Sequence, residues 1–429
     1  MKVGLSGLNI QPLAKALDAE TNKNTQTSSA TQAAQTTPTK LLDAFDAPLA
    51  NSLSNAFSIE NRVLANSAPF SPKNRLMNSP GFQRLNPEQQ KLALEALKTD
   101  PFSVTSIINL LNSKGFQSLS SNQKTQALVV CKAADAKGRA ELVKLAYREI
   151  NGKTALLNKD KDGNTLIRSL HLLATQPLHA DFAKEKVSRK DLLYGVMQEA
   201  ADPYQVNQGS HGTCTVTAMQ YMLCKQNPAE YVRIMQGITS TSGKTKLRDG
   251  STLRLSPECI KPDDNIFRST SERIFQASMM DFSNGSLSYN NADDSQPKGK
   301  SGLNKDEQKK GLEALFGKKF KHKDGKGFLG LWTNKTAVVN ELEKRGKKGQ
   351  ETYVRMHWGD GKKDGHAVVV YKVENGRVYF RNPWGEQSEK EDGKIYNNPP
   401  RRMEDKAKGL ESMSISDFKK WFKGCFIPS

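Results

Sequence analysis

Apolar residues along this chain keep two spacings, and the change from one to the other divides it. From about residue 80 to 200 they recur at intervals of three and four, the period of an α-helix with one buried face. The same helical spacing returns over Thr215–Cys224, Ser271–Met280, Asp306–Phe316 and Lys335–Arg345. In the last third, Tyr353–Trp358, His366–Glu374 and Arg377–Arg381 are rich in β-branched and aromatic residues and read as strands. Asn375-Gly376, between two of them, predicts a two-residue hairpin turn, since both residues accept positive φ. Lys244–Arg248 and Ser251–Leu255 predict a second hairpin on a type I′ turn at Asp249-Gly250, and Ser414–Phe422 predicts a closing helix. The fold class expected is α+β.

Residues 1–79 lack both spacings. Stretches such as Asn22–Lys40 are Ser, Thr, Asn, Gln and Ala and bury too little apolar surface to offset chain entropy, so a disordered leader is expected. Within 80–200, Gly81-Phe82-Gln83-Arg84-Leu85 returns 34 residues later as Gly115-Phe116-Gln117-Ser118-Leu119. Asn86-Pro87-Glu88 and Ser120-Ser121-Asn122 follow the two copies as helix starts, which predicts a helical domain with a two-copy repeat. Three regions result: the leader to 79, the helical domain over 80–200 and a mixed domain over 201–429. A chain of 429 residues calls for more than one core in any case.

The formal net charge is +19, with a Lys-rich excess over 291–350. No aromatic residues are interleaved with those lysines at regular spacing, so specific nucleic-acid readout is not expected; contact with an anionic surface is compatible with the charge. The five cysteines are odd in number and widely spaced, without a CxxC, and the six histidines form no metal-spaced pair. No disulfide framework, metal site or cofactor is expected. Asp160-Lys161-Asp162-Gly163-Asn164 is similar to a calcium loop but lacks the spacing of the ligands and the closing Glu, and reads as a turn. No run of about 18 apolar residues would span a bilayer, and the N-terminus lacks the apolar core of a secretory signal.

One stretch carries chemistry. Gln208-Gly209-Ser210-His211-Gly212-Thr213-Cys214 puts a thiol at the start of a helix, where backbone N–H groups and the dipole favour a thiolate. Gln208 could add a side-chain N–H to the Cys214 backbone N–H as a two-donor oxyanion hole. A buried structural cysteine after a glycine turn would read the same, so the motif needs a partner. His366 supplies one, at the start of an apolar strand. The hairpin at Asn375-Gly376 brings the end of the next strand, Asn382, back beside it, where an amide oxygen can orient the imidazole. Trp384 can shield that bond from water. His211, His322 and His357 read as bystanders by the same reasoning, and Cys224 as core.

Gln208-Gly209-Ser210-x-Gly212-x-Cys214, Gly365-His366-Ala367-Val368 and Asn382-Pro383-Trp384-Gly385 together resemble the papain-like (clan CA) cysteine peptidases, with Asn-Pro-Trp-Gly closest to the calpain branch. The resemblance covers 201–429. It implies a two-lobed fold, helical where the cysteine sits and β-rich where His and Asn sit. It implies Cys214 as nucleophile, His366 as general base and then acid, Asn382 orienting His366, and Gln208 stabilising the oxyanion. Thr215 departs from the aromatic usual after the cysteine, and the calpain calcium sites are not visible.

The function expected is therefore a cysteine hydrolase that cleaves amide bonds of a protein substrate through a thioester. Deamidation, transglutamination or acyl transfer on the same residues is the alternative, as is a non-catalytic protein whose helical repeats bind a partner. The polar leader without a cleaved signal, and the absent disulfide framework, fit a bacterial effector or toxin secreted by another route into a target cell's cytosol, with cytoplasmic residence as the alternative. A protein partner for the helical domain completes the expectations.

Overall fold

The computed structural model describes residues 71–261, 268–285, 288–296, 302–324, 334–359, 364–384 and 395–429. The expected leader lies outside these residues except for its last nine. There Pro72–Met77 is already a helix, with the Ser71 hydroxyl capping Asn74 N–H and Leu76 fully buried. The helical region thus begins before residue 80.

The 34-residue repeat is a short helix followed by two longer ones. Pro80–Gln83, Pro87–Thr99 and Val104–Asn112 form the first copy; Lys114–Gln117, Ser121–Ala133 and Ala136–Tyr147 form the second. Asn86 with Gln89, and Ser120 with Gln123, make equivalent capping boxes. Gly81 and Gly115 recur because each short helix abuts backbone of its own copy. A Cβ on Gly115 would stand 1.9 Å from Ala146 O, and one on Gly81 2.6 Å from the Leu111 carbonyl carbon. Gln89 Nε2 donates to Ser121 O at 2.9 Å and ties the copies together. The Asp160 stretch is a turn: Asp160 Oδ1 accepts from the N–H groups of Asp162 and Asn164.

The boundary expected at residue 200 is not a break in packing. Leu192, Val196 and Met197 of the helix Arg189–Ala201 belong to the same apolar core as Val216, Tyr221 and Tyr231 beyond it. Arg148 also spans the boundary, donating to the carbonyls of Ala200, Cys224 and Lys225.

Two small antiparallel hairpins come first in the chain, β1 (Glu149–Ile150) with β2 (Lys153–Thr154), and β3 (Lys244–Lys246) with β4 (Thr252–Arg254). The second corrects the expected turn. Only Gly250 has a positive φ (87°), so a longer loop closed by Leu247 N–H to Ser251 O at 2.9 Å replaces type I′. The main sheet contains, among the described residues, β5 (Phe320–Lys323), β6 (Thr352–Trp358), β7 (Asp364–Glu374), β8 (Arg377–Arg381), β9 (Ile395–Tyr396), β10 (Arg401–Asp405), β11 (Leu410–Ser414) and β12 (Phe422–Pro428). Its order is β5-β12-β6-β7-β8-β11-β10-β9, with every pair antiparallel. Asn375 (φ 51°) and Gly376 (φ 73°) close β7 onto β8 as a type I′ turn requires.

Alternation along the central strands explains their apolar runs. Tyr353, Ala367 and Val369 join the helical core on one face, while Val354, Met356, Val368 and Val370 meet Val338, Val339 and Leu342 of the helix Lys335–Lys347 on the other. The result is a mixed α+β structure in which the helix Cys214–Gln226 packs on β7.

Candidate active site

Cys214 is the first residue of its helix. Thr213, the N-cap, turns its hydroxyl to Gln276 Oε1 at 2.8 Å instead of capping, so it does not take up the first N–H groups of the helix. The loop before it is pinned from outside. Asp294 accepts from Gly212 N–H at 3.0 Å and from the Tyr289 hydroxyl at 2.6 Å, and lies 3.2 Å from His211 Nδ1. Gly209, at φ 60°, takes the left-handed turn that opens the loop. His211 is therefore buried and paired with a carboxylate, a role the sequence did not suggest.

His366 enters from β7, opposite Met356 of β6. The helix that begins at Cys214 packs on β7, close enough for the Ala367 N–H to act on the Cys214 thiol. The imidazole is enclosed by two indoles, with ring centroids 4.4 Å from Trp358 and 5.0 Å from Trp384. The two indoles wall the imidazole in on either side.

Asn382 Oδ1 lies 2.9 Å from His366 Nε2. The direction of that amide is fixed by a residue the sequence reading missed. Glu411, on β11, accepts from Asn382 Nδ2 at 3.1 Å. A carboxylate only accepts, so the amide must present its NH2 to Glu411 and its oxygen to the imidazole. Nε2 then carries the proton, and Nδ1 is the basic nitrogen. Glu411 is held in turn by Arg401, whose Nε lies 2.7 Å from Oε2 and whose guanidinium stacks on Trp358 at 4.6 Å. Only the β8–β11 pairing brings 411 beside 382, and no local motif marks it.

Gln208, Cys214, His366 and Trp384 line one cavity of about 640 Å³, with Thr215, Trp358, Arg355, Asp364 and Lys423 among its other walls. All of its lining residues lie between Gln208 and Lys423, so no described residue of the helical region before 200 covers it. Asn382 is not in the lining and reaches the site through His366. Gln208 is anchored by its backbone N–H to Pro383 O at 3.0 Å, and its Nε2 donates one hydrogen to His211 O at 2.7 Å. Gln208 Oε1 is buried without a hydrogen-bond partner among the described residues. Gly385 lies outside the described residues. His357 is not among the residues lining the cavity. His322 departs from the solvated position expected: it is half-buried on β5 against Phe426, and burial holds its pKa below the usual range.

Burial pushes the Cys214 thiol up to about 11; the N–H groups of Ala367 and Thr215 pull it down, and the Asp294 carboxylate adds to the rise. Unassisted, this thiol is protonated at neutral pH, so its reactivity has to come from a neighbouring cation or base. Cys131, Cys224, Cys259 and Cys425 are also raised by burial. Position distinguishes Cys214 from them: it retains 7 % exposure, into the cavity, where the other four have 0 %.

Among the described residues, no group of three or more His, Cys, Asp or Glu side chains could hold a metal ion, and no helix is long and apolar enough to cross a membrane. No protein-family model matches the chain, and no curated protein matches it.

Proposed function

We propose that this protein is a papain-like cysteine hydrolase that cleaves amide bonds in a protein substrate, with the helical part around Cys214 and the antiparallel sheet around His366 as its two lobes. The observation that carries the reading is the ordered relay Glu411–Asn382–His366 ending in the same cavity as a helix-initial cysteine. In this account Nδ1 of His366 takes the Cys214 proton, and the sulfur attacks the substrate carbonyl carbon. The oxyanion is met by the Cys214 backbone N–H and the remaining N–H of Gln208. The imidazolium returns its proton to the departing amine, leaving a thioester. Water then attacks with His366 as base, releasing the acid and restoring the thiol.

The thioester can also be resolved by an amine, and a side-chain amide can stand in for the backbone. Mass spectrometry of target proteins incubated with the wild type or Cys214→Ala separates these outcomes. New peptide N-termini that depend on Cys214 are expected. Glutamine-to-glutamate conversion or new isopeptide links, without cut backbone, would replace the peptidase reading by its transferase or deamidase counterpart.

The polar residues 1–70 lie outside the described structure, and their role as a secretion leader belongs to the same proposal. Its support is compositional. Deleting them should abolish export from the producing cell while leaving Cys214-dependent cleavage by the purified protein intact.

A further inference from the structure

Among the described residues two cations stand in the wall of the cavity, and no described carboxylate is paired with either. Arg355 comes from β6 and Lys423 from the start of β12, and both line the space that Cys214 and His366 share. Strand register brings them there: Arg355 lies opposite Gly424 on one side and Ala367 on the other. Lys423 Nζ stands 3.9 Å from where a Cβ on Gly365, the residue before His366, would be. Arg355 Nη1 meets His322 Nε2 at 3.5 Å, a neutral or cationic neighbour that offers no negative charge. Among the described residues no Asp or Glu makes an ion pair with Arg355 or Lys423. Asp306 acts on Arg355 from beyond ion-pair distance. Asp364 is the acidic member of the wall and sits opposite Trp358 in the sheet.

A half-buried guanidinium stays charged at any working pH, and leaving it partly desolvated without a counter-charge is costly unless a ligand supplies one. Among the described lining residues, apart from His366, the excess is two positive charges against one negative, in a concave site beside the reacting sulfur.

We infer that Arg355 and Lys423 form a subsite for an acidic side chain, so that the cleft takes a segment of protein substrate carrying Asp or Glu next to the scissile amide. This rests on the cysteine-hydrolase reading above. Arg355 offers a planar fork that matches a carboxylate, and Lys423 a mobile point charge from the rim.

Iodoacetate and iodoacetamide test it directly, because they alkylate the same sulfur and differ by a carboxylate in place of an amide. The ratio of their rates at Cys214, measured peptide by peptide on the full chain, is compared with the same ratio for free N-acetylcysteine. Iodoacetate should be favoured at Cys214 relative to the free thiol. The ratio should fall roughly three- to tenfold in Lys423→Gln and in Arg355→Gln, the scale of a charge-assisted contact at a part-exposed site. Lys423 is exposed, so its variant carries the test should Arg355→Gln fold poorly. A ratio equal to that of the free thiol, or unchanged in Lys423→Gln, overturns the acidic subsite while leaving the hydrolase reading in place. A Cys214 that reacts with neither reagent faster than Cys425 overturns both.

Discussion

Glu411 sets the direction of the Asn382 amide: with Nδ2 donating to the Glu411 carboxylate at 3.1 Å, Oδ1 is the atom left facing His366. The relationship acts through one further bond. If Asn382 could rotate, its NH2 would meet Nε2, the wrong nitrogen would carry the proton, and the base facing Cys214 would be lost. Glu411→Gln removes this constraint at nearly constant volume, since a glutamine can present either an acceptor or a donor. We expect kcat to fall about tenfold or more with KM little changed, because the variant disturbs a proton-transfer group and not substrate contacts. A rise in KM at constant kcat would place Glu411 in substrate binding instead.

Asp294 braces the loop before Cys214 and sends a negative charge toward the sulfur. The sign of its effect is unambiguous, since a carboxylate disfavours the thiolate. In Asp294→Asn the pH midpoint for Cys214 alkylation should move lower, by an amount read directly from the rate–pH curve. A midpoint that stays put or rises would show that bracing the loop outweighs the charge.

Glu199 is buried among the hydroxyls of Ser269, Ser271 and Tyr231 and the amide of Gln220, and burial pushes its carboxyl up to about 7. A folded-state pKa above the unfolded one means that the native protein binds the proton more tightly. The stability this contributes is full below about pH 4.5 and is lost as pH rises through about 7. Glu199→Gln, permanently neutral, should therefore remove this part of the decline, on the order of 2 kcal/mol between pH 5 and 8. Urea unfolding of wild type and variant across that range would show it as two curves that diverge with rising pH. Parallel curves would mean that Glu199 is charged in the native state throughout.

The sequence made some of this architecture readable and hid the rest for identifiable reasons. Helices with caps and strong periodicity, such as Lys305–Phe316 and Lys335–Lys347, stand within two residues of where their patterns end. The Asn375-Gly376 turn fixed the β7–β8 register and hence the meeting of His366 with Asn382, sixteen residues apart. The strands β5, β10 and β12 were missed because Lys, Arg, Gly and Pro interrupt their apolar alternation, although β12 lies inside the sheet between β5 and β6. Glu411 and Trp358 belong to the site through strand pairing between distant segments, which no local pattern reports. The unity of the core across residue 200 was hidden similarly: a boundary in motif content is not a boundary in packing.

The central claim is that His366 activates Cys214, and it is tested most directly by alkylating all five cysteines of the native protein with iodoacetamide at pH 6, in wild type and His366→Ala. Burial alone would leave every one of these thiols protonated and slow. With an imidazolium beside it, Cys214 should react roughly a hundredfold faster than Cys131, Cys224, Cys259 and Cys425, and that excess should vanish in His366→Ala. Equal rates at Cys214 and Cys425 in the wild type, or an excess that survives the loss of His366, would contradict the account.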